Sequence, residues 1–246
     1  MDEIPTIIID PGAREWRAGY AYDEGPGECP PGPPTDDHSK WLEQLTAVLA
    51  ALEAEPAEQK ALVAERPGTL DAERESVIKA LFVDHGVQAV CIAAAPKLAL
   101  FNINRDTCVI VDVGELSTTI FCVFEGHAVF DAATIHPLAG RHLPAFSSDA
   151  SCEGLFNPSS LDSGDDSQVE RASVGVHEAI LSTIALTDTT LRRELLENIV
   201  LIGGGSRLAD FPQRMEREVS SIGFKPRKRR SAAACLTLGN PAHGLP

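Results

Sequence analysis

One pattern constrains this chain more than any other: an apolar strand, Asp-x-Gly, a short turn and a second strand, occurring twice. The first copy spans Ile7–Tyr22 around Asp10-Pro11-Gly12, and the second spans Val109–Phe124 around Asp112-Val113-Gly114. A carboxylate repels phosphate but can hold the waters of a Mg²⁺ ion. A glycine two residues on lets the backbone bend and turn its N–H groups toward an anion. One copy alone is ordinary turn chemistry at a strand end. Two copies with matching flanks favour two similar lobes facing each other across a cleft, with Asp10 and Asp112 as candidate magnesium groups acting through water.

The rest of the chain supports an α/β fold. Ile7–Ile9 forms a buried strand and Trp16–Tyr22 a returning one. Asp71 caps a helix that carries Val77, Ile78, Leu81 and Phe82 on one face and stops at Gly86. A strand at Val87–Ala93 leads into a short helix at Pro96–Phe101. Strands follow at Cys108–Val113, Thr118–Phe124 and His127–Ile135, the last two joined by a Glu125-Gly126 hairpin turn. Helices at Val174–Ala185 and Thr190–Glu197 precede a strand, Ile199–Ile202, that runs into Gly203-Gly204-Gly205. Between Gly25 and Pro34 eight of ten residues are Gly or Pro, which leaves no room for a helix or interior strand. A second irregular stretch, Pro144–Gln168, is rich in Ser, Asp and Gly and is expected to stay outside the core.

Composition narrows the function classes. With 36 acidic against 21 basic residues, the net charge of −15 opposes a phosphate backbone, so direct sequence-specific nucleic-acid binding is not expected. Five of the bases crowd into Lys225–Arg230, which has the composition of a nuclear-import or acidic-partner patch and equally of a solvated loop. No apolar run has the ~18 residues that a membrane helix needs. The N-terminus, Met1-Asp2-Glu3, is acidic where a leader would be basic, which points to an intracellular protein. The six cysteines show no C-x-x-C pair, and Cys91, Cys108 and Cys122 fall in apolar runs as buried reduced thiols. Trp16 and Trp41 are assigned to packing, and His177 to a structural role.

The chain resembles the actin family, as a divergent and shortened actin-related protein. The resemblance is carried by Ile7–Pro26, Ala89–Thr118, Phe124–Leu143, Leu155–Leu161 and Val174–Met215, and most strongly by Ala139-Gly140-Arg141 with Ile202–Leu208 (IGGGSRL). It implies two ribonuclease-H-like lobes around an adenine-nucleotide cleft, with both outer insertions reduced or lost. The lobes implied are residues 1–104, with a Pro/Gly-rich linker at 25–38 and completion by 231–246, and residues 105–230. It also implies that Asp10, Gly12, Arg17, Asp112, Gly114, Gly203 and Gly204 contact phosphates or metal waters, with ATP and Mg²⁺ bound weakly.

Several positions depart from the family pattern. Ala13 stands in place of a serine, Arg14 and Leu116 in place of glycines, and Glu115 in place of a shorter carboxylate. Ala95 replaces a water-positioning glutamine and Thr119 a frequent histidine, so neither can orient or deprotonate an attacking water. The resemblance therefore implies a non-hydrolysing structural or adaptor subunit of a cytoskeletal or chromatin complex. Its partners would be other actin or actin-related subunits, in the cytoplasm and cytoskeleton or in the nucleus. Two alternatives stay open: an ATPase or kinase of the same fold superfamily, with Glu115 as the candidate base, and a degenerate actin gene product.

Overall fold

The computed structural model describes residues 4–23, 29, 38–103, 105–143, 152–161, 173–208, 210–221 and 235–237. The chain divides at Leu98/Ala99 into two compact units, each built on its own sheet. In the first unit, β1 (Thr6–Pro11) and β2 (Trp16–Tyr20) form a hairpin. Strands β3 (Lys60–Glu65) and β4 (Ala89–Ala94) then add in parallel, giving the order β2-β1-β3-β4. Helices α1 (His38–Ala51) and α2 (Asp71–Lys79) connect these strands. Strand alternation sends Ile7 and Ile9 inward against Leu45, Val48, Val77 and Leu81, while Ile8 on the opposite face of β1 stays exposed. Trp16 is buried, and its ring centroid lies 4.8 Å from that of Trp41, so both tryptophans pack within this unit.

The second sheet has the order β7-β6-β5-β8-β9. Its strands are β5 (Cys108–Val113), β6 (Thr118–Phe124), β7 (His127–His136), β8 (Ile199–Ile202) and β9 (Cys235–Thr237). Glu125 and Gly126 both take positive φ, 49° and 76°, as the tight hairpin turn between β6 and β7 requires. Both faces are covered, which is why β5 and β6 read as continuous apolar runs. On one face Val109, Val111, Ile120 and Cys122 pack with α4 (Glu153–Phe156), α5 (Val176–Ala185) and α7 (Phe211–Ser221). On the other, Ile110, Phe121, Val123 and Val200 meet Ile103 at the end of α3 (Ala95–Ile103). Helix α6 (Arg192–Glu197) leads into β8. The chain is thus α/β, with two sheets of related strand order, as expected.

Four expectations need correction. The stretch 144–168 is not wholly outside the core: Cys152, Leu155 and Phe156 are buried within the second unit. Arg214 secures this turn. It pairs with Glu153 at 2.6 Å and lies 5.0 Å over the Phe156 ring, joining a charge-assisted bond to a cation–π contact. Strand β9 pairs in parallel with β8, so residues 235–237 complete the second sheet and not the first lobe. Cys91 is exposed on β4, whereas Cys108 and Cys122 are buried. Helix α2 is preceded by Leu70, whose N–H donates to Glu73 Oε2 at 3.0 Å. Asp71 is the first helical residue and not the cap, and the helix runs on through a wider turn to Asp84. The basic run Lys225–Arg230 and most of the Gly/Pro linker lie outside the described residues.

Helix α1, strand β3 and helix α7 lie beyond the sequence expectations. Each carries a signal: Ala61–Ala64 is a short apolar run, and Phe211, Met215 and Val219 recur every fourth residue on α7. If Leu155 belongs to the core, Leu155→Ala will lower unfolding free energy by about 2–5 kcal/mol in urea titration. A loss within about 0.5 kcal/mol is what a surface residue would give.

Candidate functional site

The two Asp-x-Gly loops share one construction, with every position offset by the same number of residues. In the first unit Asp10 pairs with Arg17 and Pro11 with Trp16. In the second, Asp112 pairs with Thr119 and Val113 with Thr118. Each glycine sits where a side chain would strike the backbone three residues on. A Cβ at Gly12 would lie 2.4 Å from the Glu15 carbonyl oxygen, and one at Gly114 would lie 3.0 Å from that of Ser117. The Gly114 N–H also donates to Ser117 O at 3.1 Å, closing the second turn. Close approach therefore excludes a side chain at Gly12 and crowds one at Gly114, and neither residue needs a positive φ.

In the first unit the Asp10 carboxyl reaches solvent at the strand end. The protein packed around that end still desolvates it and pushes its pKa up, and the Arg17 guanidinium across the hairpin opposes the shift. Arg17 also lies 3.7 Å from Glu15, an exposed pair that adds little. Arg14 is exposed on the same turn and Ala13 half-buried. Ala95 opens α3 directly after β4.

In the second unit three loops converge. Asp112, the penultimate residue of β5, lies beside Ile202 of β8, so the glycine run enters next to its carboxylate. Gly203 has φ of 84°, and a Cβ there would sit 2.3 Å from Asp112 Oδ1 and 2.6 Å from the Val113 carbonyl. Gly205 is pressed against Val113 in the same way, at 2.3 Å from its Cγ1, whereas Gly204 opens onto free space. The Ser206 hydroxyl donates to the Gly203 carbonyl at 2.7 Å and holds the turn. The third loop is the turn after β7: Gly140 N–H donates to Gly114 O at 2.9 Å and Arg141 N–H to Glu115 O at 3.0 Å. The Ala139-Gly140-Arg141 signature thus braces the second Asp-x-Gly loop through backbone bonds that residue type alone does not reveal. Thr119 is buried across the ladder from Asp112, and Leu116 is half-buried in the turn.

The structure therefore brings Asp112, Gly114, Gly203 and Gly204 together, and separately joins Asp10, Gly12 and Arg17. Among the described residues no group of three or more His, Cys, Asp or Glu could hold a metal unaided. A Mg²⁺ ion carried in on phosphate and held through water makes a smaller demand, since it keeps most of its own hydration shell. The open room over Gly204, one residue from the glycine that packs on Asp112, fits such a group. His177 serves packing, its ring centroid 5.6 Å from that of Phe156.

The family model described as Actin matches residues 35–150 and 149–237 of this chain. The match takes in the second loop, the glycine run and the Ala139–Arg141 turn, and the first Asp-x-Gly loop precedes it. Actin-related protein 4 of Arabidopsis thaliana is 34% identical over 97 residues, covering 39% of this chain and 22% of that protein. Actin-like protein 7A of Macaca fascicularis is 22% identical over 220 residues, covering 68% of this chain and 51% of that protein. The chain spans about half or less of the length of these relatives.

The two glycines make opposite predictions. Gly203→Ala combines a positive φ with a clash against Asp112, and should lower stability by about 1–3 kcal/mol. Gly204→Ala meets nothing within 4 Å and should stay within about 0.5 kcal/mol of the parent in the same denaturant titration. Equal losses would mean that the glycine run does not pack on Asp112 as described.

Proposed function

This chain belongs to the actin family, and from that premise we propose that it works as a structural or adaptor subunit that binds Mg-ATP weakly and does not hydrolyse it. One observation carries the proposal. The second loop sets Asp112 against Gly203, while buried Thr119 stands across the ladder from that same carboxylate. Neither Thr119 nor Ala95 can take a proton from water at neutral pH, and alanine cannot orient one either. What remains can bind and position but lacks the groups that accelerate hydrolysis.

In this reading Asp112 holds magnesium waters, and Gly114, Gly203 and Gly204 admit phosphate close to the backbone. Asp10, with Arg17 opposite it, and Gly12 play the matching part in the first unit. A bound Mg²⁺ would supply charge neutralisation for the phosphates. Leu116 and Arg14 place side chains on these turns where a smaller residue would leave more room, which supports weak affinity. The partners proposed are actin or actin-related subunits of a cytoskeletal or nuclear assembly. Phe101, Val83 and Phe82 are exposed large apolar side chains of the kind that partners cover. Among the described residues no helix is long and apolar enough to cross a membrane.

Calorimetry with Mg-ATP should give a dissociation constant weaker than micromolar. Asp112→Ala should weaken binding by about 10–100-fold, the usual cost of losing a group that acts on a metal from its outer shell. Phosphate release should match the protein-free rate, and Ala95→Gln should not raise it, because Thr119, Arg14 and Leu116 are unchanged. An ATPase rate that Asp112→Ala abolishes would overturn the non-hydrolysing reading.

Affinity purification from the native cell tests the subunit role separately. Actin-family subunits should co-purify, and a stable monomer carrying none would overturn it.

A further inference from the structure

The turn after β7 is stitched to the second Asp-x-Gly loop at three points. Besides the Gly140 and Arg141 amides bound to the carbonyls of Gly114 and Glu115, the Thr118 hydroxyl donates to the Leu138 carbonyl at 2.7 Å. The turn is held from its other end by His136, the last residue of β7, which is only 5% exposed. Its Nε2 lies 3.1 Å from the Val174 carbonyl oxygen, which can only accept, so Nε2 carries the proton. Its Nδ1 lies 3.3 Å from the Leu138 nitrogen, whose N–H can only donate, so Nδ1 must be bare. The neutral ring satisfies both bonds. A second proton would set an N–H on Nδ1 against the Leu138 N–H and would bury a charge.

We propose that His136 is a positioning residue for the second phosphate loop: its neutral ring fixes Leu138, and through it the Gly140–Arg141 brace, so that acid loosens the loop. The proposal rests on the reading of Gly114–Ser117 as a phosphate loop. The groups acting on His136 are the Thr118 residue paired with it on β6, the Val174 carbonyl before α5, and the His142 imidazole of the brace itself. None is a carboxylate that could stabilise an imidazolium. Burial pulls the His136 pKa below its ordinary 6.5; the Val174 bond opposes the shift and His142 adds to it. Because the folded value is depressed, the stabilisation is fully present above the unfolded value of 6.5 and is lost as pH falls toward the folded pKa.

Amide hydrogen exchange on the full chain, corrected for intrinsic rates at pH 7.5 and 5.5, reads the brace without nucleotide. Protection of the Gly140 and Arg141 amides should fall by up to about tenfold, the limit for one pH unit below the ordinary histidine value, while the β5 amides of Val109–Val111 hold. His136→Leu removes the acceptor, so protection at Gly140 and Arg141 should be low at both pH values. His136→Asn offers an oxygen near the Nδ1 position and should keep protection high and independent of pH. Mg-ATP affinity should follow the same pattern in all three proteins.

Flat protection in the parent, or the same pH dependence in His136→Leu, overturns the proposal. A parallel loss in β5 would show global unfolding and overturns it too. pH-dependent protection with no Mg-ATP binding at either pH would support the brace and remove the phosphate reading of the loop.

Discussion

A backbone approach that only glycine permits governs the loop end of the second unit. Gly203 comes so close to Asp112 that a single methyl group would displace the carboxylate, and its positive φ turns the chain away from β8 at that point. Gly205 then packs on Val113, and Ser206 ties the turn to the Gly203 carbonyl. The carboxylate at the end of β5, the loop that follows it and the glycine run after β8 are consequently parts of one arrangement. It depends on parallel pairing between β5 and β8, which sets Asp112 beside Ile202.

The two units apply the same hairpin to different degrees of burial. In the second, helices on both faces enclose β5 and β6, and the loop beyond them is braced by the turn at Gly140. In the first, β1 alternates buried and exposed residues, and Asp10 keeps contact with solvent opposite a charged Arg17. Equivalent carboxylates therefore stand in unlike electrostatic settings, one facing a cation across its ladder and the other a threonine.

Legibility in the sequence followed the range of the interactions. Asp10, Gly12, Asp112 and Gly114 could be found because both halves of each hairpin are local, and a strand, a turn and a returning strand leave a period and a glycine behind. The hairpin at Glu125-Gly126 was readable for the same reason. Leu155 and Phe156 were not, because a polar surrounding sequence outweighs four residues of helix until Arg214, some sixty positions away, closes over them. The Gly140 and Arg141 brace was equally hidden, since its bonds use backbone atoms that every residue possesses.

The amino-acid order alone determined the two Asp-x-Gly hairpins, whose spacing survives without a partner, and the resemblance to the actin family, which matching motifs carry. Only tertiary structure decided that Gly203 lies on Asp112, that Thr119 is buried across from it, that residues 235–237 join the second sheet, and that His136 is neutral. Those outcomes depend on which distant segments meet. A glycine's closest neighbour and a histidine's proton are set by groups brought together in folding.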